Sequence, residues 1–282
     1  MKAPSSLSVV VAMAWASWLL SMSVAHAGAL CDPAIREYAR IRLEQAAPSP
    51  QATANDLTAA EHAVAQALRM QRDAGAGRDL EEPYGGAAYW GRQAASAASP
   101  RLAELFRRVA EDQAIRSHGV VTGRGLLWAA GLSERVRDYV QLVLTTDNCA
   151  VDEDNTAWLK TQLSQGGWFT ISTAGEAADE AAFLLVQHAD HDPAFQAEIL
   201  GKLEPLARRG ETAPKRYAML FDRVAVAAKR PQRFGTQGRC QPGGKWVAND
   251  IETPEALDAR RAAFGLEPEA VYAPIVARLC PL

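Results

Sequence analysis

The chain lacks most of the signatures that announce a chemistry. It contains no glycine-rich phosphate loop, no GxSxG elbow and no HExxH pair, which removes the P-loop, α/β-hydrolase and zincin readings. Its four cysteines (Cys31, Cys149, Cys240 and Cys280) include no close CxxC pair, so a thiolate zinc site is the weaker reading. No basic excess exists either. Lys and Arg total 30 against 33 Asp and Glu, a net charge of −3, whereas a nucleic-acid binder concentrates positive charge. Beyond the first 27 residues no stretch is apolar enough to span a bilayer. Strand signals are sparse, with "WFTIST" the best candidate for an extended segment.

What is present begins with a leader. Lys2 precedes an apolar run from Leu7 to Val24, and Ala25-His26-Ala27 supplies the small-x-small pattern cut by signal peptidase. Serines interrupt the run, so a cleaved signal is a better reading than an anchor, and bulky Leu30 argues against lipid attachment at Cys31. The mature chain of about 255 residues would start near Gly28 in the periplasm or outside the cell. Removing Lys2 shifts the net charge to −4. In an oxidising compartment four cysteines predict two disulfides. Of three possible pairings, Cys240–Cys280 is preferred because it ties the C-terminal tail to a glycine-rich loop. Cys31–Cys149 then follows by elimination.

Periodicity predicts a mainly α fold: an irregular multi-helix domain with long loops over residues 101–282, preceded by an Ala-rich helical region over residues 28–100. Asp32-Pro33 reads as a helix start running to Gln45. "APSPQATAND" reads as a linker, and Thr58 to Glu61 as a capping box opening a second helix to Arg72. Leu102, Leu105, Phe106, Val109 and Ala110 form a buried stripe. Further helices are expected near residues 132–144, 154–163, 176–188, 193–208, 214–228 and 254–264, with Gly210 as a C-cap glycine.

The stretch "LLVQHADHDPAFQ" holds the densest polar cluster. His188 continues the stripe of Ala181, Leu184 and Leu185, so its ring should turn inward at a helix end. It could act in acid–base chemistry, or cap the last carbonyls of its helix. Asp192 before Pro193 reads as an N-cap, and His191 as solvated. Two histidines three apart across a helix break lack the spacing of a helical metal pair.

Beyond this stretch, Asp112-Gln113, Asp152 and Asn155, Gly167-Trp168, Gln187 to Asp190, Asp222-Arg223, Pro231 to Gln237, Asp258, Arg260-Arg261 and Tyr272 occur in a fixed order. In this set the chain resembles the bacterial family catalogued as domain of unknown function 6624, over about Leu105 to Tyr272. The resemblance implies a shared fold and no activity. Phe169 stands where that pattern has proline, Lys229 where glycine usually precedes the PQ loop, and Phe234 where tyrosine is common.

Several of these residues have plain structural readings. Asp152 reads as an N-cap with Asn155 in the first turn. Asp112 and Arg116 have the spacing of a surface ion pair, and Trp168 reads as a core anchor. Arg223 should bridge to Asp190 or Asp258, or else clamp an anion. Two functional readings follow. In the first the chain is a ligand-binding or scaffold module with a polar pocket around His188, Arg223 and Gln237. Asp112, Gln113, Gln232, Thr236 and Arg260 complete that binding set. Its partner would be a small molecule or a cell-envelope component, with no cofactor, no metal and no nucleic acid. In the second it is an extracytoplasmic hydrolase or lyase with His188 as general acid or base and Asp190 or Asp222 orienting it.

Overall fold

The computed structural model describes residues 32, 34–278 and 280; the expected leader and Cys31, with its expected pairing to Cys149, lie outside them. Alanine-rich helices come first. The Asp32 carboxylate accepts the Ala34 N–H at 2.8 Å, and α1 (Ala34–Ala46) follows, burying Ile35, Ala39 and Leu43. The expected linker is nearly absent. Ser49 caps α2 (Pro50–Gly75), with Pro50 in its first turn. Thr58 therefore lies inside α2, where its hydroxyl bonds the Ala54 carbonyl at 3.0 Å. The Ser-Pro start, with a proline that loses no hydrogen bond at N1, overrides the later capping box.

The stripe of α2 is small: Ala60, Ala63 and Ala67 pack on Leu43 and on Val136, Val140 and Leu144. After a loop, α3 (Gly85–Ala95) lies against α4 (Pro100–Arg124). At Gly91 a Cβ would stand 1.9 Å from the Ala74 carbonyl oxygen, so that crossing requires glycine. Helix α4 buries Leu105, Phe106, Val109 and Ala110 as expected, and Gly125 ends it in the left-handed region.

One long helix replaces two. Helix α5 runs unbroken from Glu134 to Gly166, 33 residues or about 50 Å. Asp152 is thus not an N-cap and Asn155 not in a first turn; both sit mid-helix. The polar run "TTDNCAVDEDN" lies in and around the gap between the two expected helices, yet it contains no glycine or proline to break the helix, and its Asp152, Asp154 and Asn155 find arginine partners on α4. "WFTIST" is not extended: α6 (Ile171–Ala174) is a single helical turn, and buried Phe169 lies under the Arg101 guanidinium, 4.0 Å from ring centre to Cζ.

The next helices match their local signals. They are α7 (Glu176–Gln187), α8 (Pro193–Arg208) and α9 (Pro214–Ala227). Asp192 caps α8, accepting the Phe195 N–H at 3.0 Å. Gly210 has φ +72° just beyond its end. Leu184 is only half-buried. The main core forms where α4, α5, α7 and α8 meet, through Leu105, Leu159, Leu185, Phe195, Ile199 and Leu203. Each such side chain contributes about 1.5–3 kcal/mol by leaving water.

An antiparallel hairpin, unforeseen in the sequence, joins β1 (Gly238–Gln241) to β2 (Lys245–Ala248). A 3-10 turn (Pro254–Ala256), α10 (Leu257–Ala263) and α11 (Glu269–Ala277) complete the described chain. The disulfide Cys240–Cys280 links the hairpin to the segment after α11. Cys149 is also disulfide-bonded. Among the described residues eleven α-helices dominate, so the protein is mainly α. None of these helices is long and apolar enough to cross a membrane.

Candidate functional site

The polar cluster assembles where the end of α7 meets the middles of α4, α5 and α9. His188 is the residue just past α7; its N–H bonds the Leu184 carbonyl, which turns the ring inward. Its Nδ1 lies 3.0 and 2.9 Å from Oδ1 and Oδ2 of Asp112 on α4. The ring therefore engages a carboxylate instead of capping its helix. Asp112 is fully buried, so the expected surface pair with Arg116 is an internal network. Gln113 donates to Asp112 Oδ2 at 2.8 Å and Arg116 approaches Oδ1 at 3.2 Å. Arg116 also reaches α5, with Nη2 at 3.0 and 3.2 Å from the oxygens of Asp152.

Charge states follow from these contacts. Burial opposes the Asp112 carboxylate, but the His188 ring, the Arg116 guanidinium and the Gln113 amide hold it below its ordinary value. Burial and then the Arg116 charge push the His188 imidazole below its ordinary value, against the pull of Asp112. The ring is thus neutral at neutral pH. Because Nδ1 faces a group that only accepts, it carries the proton, leaving the lone pair on Nε2. Burial raises Asp152 to about 7; Arg116 draws it down, while Asp112 and Asp190 raise it further.

Asp190 does not orient His188. Both its oxygens take Nη1 of Arg223 on α9, at 2.8 and 2.7 Å. This confirms the expected bridge from Arg223 to Asp190. Asp258 instead accepts the Glu269 N–H at 2.9 Å. Gln196 on α8, which sequence reasoning missed, fastens the junction. Its amide donates to Asp190 Oδ1 at 3.1 Å and to the carbonyls of Val186 and Gln187 at 3.1 and 3.2 Å. The only hint in the sequence is its place one turn into the helix after Pro193.

Asp222 does not orient His188 either. Its buried carboxylate gathers the PQ loop: it accepts the N–H groups of Arg233, Phe234 and Thr236 and the Thr236 hydroxyl, all at 2.8–3.2 Å. Gln232 holds the same loop from within. Its Oε1 accepts the Gln237 N–H at 2.8 Å, and its amide donates to the Gln237 and Asn249 carbonyls. The Gln237 amide donates to Thr236 Oγ1 at 3.3 Å. Tyr272 donates to the Thr236 carbonyl at 3.1 Å. Arg260 donates to three backbone carbonyls, of Arg233, Glu252 and Thr253.

The network is not closed. Gln187 Oε1 and Arg223 Nε are buried without hydrogen-bond partners among the described residues. Elsewhere Trp168 packs on the core and donates to Asp179 at 2.8 Å, and Asp179 pairs with buried Arg216, which is a structural arrangement. Among the described residues no group of three or more His, Cys, Asp or Glu is placed to hold a metal ion.

The model of a family of unknown function, DUF6624, matches residues 103–278. The chain belongs to that family. No curated protein and no solved structure matches it. Every residue of the polar network lies inside the family segment. Lys229, where the resemblance leads one to expect glycine, has φ +56°, a backbone region that favours glycine.

Proposed function

We propose that this family member binds a small, neutral, polar molecule at the α7 end, with His188 Nε2, Gln187 Oε1 and Arg223 Nε as its reading groups. The observation that carries this is the pair of unpartnered buried atoms, Gln187 Oε1 and Arg223 Nε, on the residue next to His188 and on the guanidinium whose charge acts on its ring, together with an imidazole whose other nitrogen is already tied to Asp112. A network serving only to fix helix packing gains by satisfying every member, and each buried orphan costs about 1–3 kcal/mol. Here one donor and two acceptors stay open. Charge supports a neutral ligand: the Arg116 and Arg223 cations are already matched by the Asp112 and Asp190 anions. Asp152, raised to about 7, adds a third, partly protonated carboxyl, so neither cation is left free for an anion. Hydroxyl and amide groups suit that set. In the same reading Gln237 and Thr236 of the PQ loop are further candidate contacts for the ligand.

The ligand is a cell-envelope component in this reading. The leader sequence and the Cys240–Cys280 disulfide support export, because structural disulfides persist in oxidising compartments.

A second reading rests on the same imidazole. A neutral histidine oriented by a buried aspartate is equipped to take a proton from a bound hydroxyl or water through Nε2. On this reading the bound molecule is hydrolysed or undergoes elimination.

The test is retention. Purified protein and its His188→Gln variant are equilibrated with the small-molecule fraction of cell-envelope extract, washed, and analysed by mass spectrometry. The expected result is a neutral molecule held by the parent and released by the variant. Nothing held, or equal retention by both, returns the cluster to a purely structural role. Chemical conversion of the retained molecule selects the second reading.

A further inference from the structure

A concavity lies against the PQ loop, lined in part by its Arg233 and Phe234. It is a groove of about 410 Å³ between α8, α9 and α10, within the roughly 300–1,000 Å³ of small-molecule sites. Its walls are aromatic: Tyr217 stacks on Phe264 at 5.9 Å and 23°, and Phe264 meets Phe234 edge-on at 4.8 Å. Its lining is also cationic. Arg208, Arg233 and Arg260 line it with a single carboxylate, Glu204.

Those arginines are not equally neutralised. Arg208 pairs with Glu204, and Arg233 has only Glu252, at 3.8 Å. Arg260 forms no ion pair among the described residues. It is held instead by neutral carbonyls, with Nε 2.8 Å from the Arg233 oxygen and Nη2 3.1 Å from that of Thr253. A guanidinium fixed in place without a counter-carboxylate loses little freedom when an anion arrives. Arg233 adds a second charge, lying 5.5 Å from the Phe221 ring centre and 6.0 Å from that of Phe234.

We propose that this groove binds a small aromatic anion, its ring system against Tyr217, Phe234 and Phe264 and its acid group at Arg260 and Arg233. Apolar walls alone would admit many molecules. The unmatched guanidinium selects the anionic ones and repels cations. A partner helix is a poor occupant, since stable protein interfaces bury about 800 Å² on each side and this concavity is the size of one small ligand.

The probe is 8-anilinonaphthalene-1-sulfonate, titrated by fluorescence into the folded full chain with near-UV circular dichroism recorded alongside. Its uncharged relative N-phenyl-1-naphthylamine is run in parallel. The expected result is saturable binding of the sulfonate, at least tenfold tighter than the neutral dye, with an unchanged dichroism spectrum. Ala207→Trp, which fills the groove from α8, should weaken binding at least tenfold. Arg233→Gln, at an exposed side chain, should weaken it about two- to fivefold, the scale of one exposed charge contact. The inference is overturned if no saturable binding occurs, if the neutral dye binds as well as the sulfonate, or if neither substitution weakens binding. Should Ala207→Trp fail to fold, Arg233→Gln alone decides.

Discussion

His188 Nδ1 lies 2.9 Å from Oδ2 of Asp112, a wholly buried carboxylate 76 residues earlier in the chain. The pair locks the end of α7 onto the centre of α4, and its two members are not equally replaceable. Asp112→Ala would leave Arg116 and the His188 N–H without their shared acceptor, and should cost about 3–5 kcal/mol. His188→Ala leaves Asp112 its Gln113 and Arg116 contacts, and should cost about 1–3 kcal/mol. Urea unfolding of both variants checks the order, and a larger loss at His188 would contradict it.

Asp152 sets a pH dependence. Burial raises its carboxyl from an ordinary 3.8 to about 7 in the folded chain. A raised acid stabilises the fold below its unfolded value, and that contribution disappears as pH climbs through the folded one. Stability should therefore fall between about pH 4 and pH 7 relative to Asp152→Asn, which stays uncharged. The three-unit shift corresponds to a gap on the order of 4 kcal/mol above pH 7. Denaturation midpoints of the two proteins across this range make the measurement. A gap that stays constant with pH would show that Asp152 is ionised throughout.

Lys229 offers a stabilising change. Its exposed side chain sits on a backbone at φ +56°, a conformation costing an L-residue about 1–2 kcal/mol. Lys229→Gly should raise stability by about 1 kcal/mol, read as a higher melting temperature. An unchanged or lower value would mean that the lysine side chain compensates for its backbone.

Asp222→Ala should release the PQ loop. Three backbone N–H groups and one hydroxyl lose their acceptor together, a loss of about 3 kcal/mol or more. Hydrogen exchange should show the Phe234 and Thr236 amides losing protection while those of α7 and α8 keep theirs. Uniform loss across the chain would instead mark Asp222 as a determinant of global folding.

The elements legible in the sequence are those with local punctuation. Asp192-Pro193 and Pro214 fixed the starts of α8 and α9 to the residue, because capping and proline geometry act within one turn. The middle of α5 was not legible. Asp152 and Asn155 look like loop or cap residues until Arg116 and Arg108 of α4 are placed beside them. The same holds for the site. His188 turned inward as its stripe required, and Arg223 met one of two anticipated carboxylates. The partner of the imidazole was Asp112, not Asp190 or Asp222, because i, i+4 spacing cannot distinguish a surface pair from a buried one. The hairpin escaped notice because two four-residue strands give too little alternation to read.

Helix α5 has a consequence for how the family segment relates to the folding unit. The matched stretch starts at residue 103, yet Val136, Val140 and Leu144 in the first turns of α5 are roofed by Ala60, Ala63 and Ala67 of α2. A polypeptide trimmed to the matched stretch would carry that oily strip bare into water and should clump instead of standing alone. What relatives hold in common is shorter here than what must be made together.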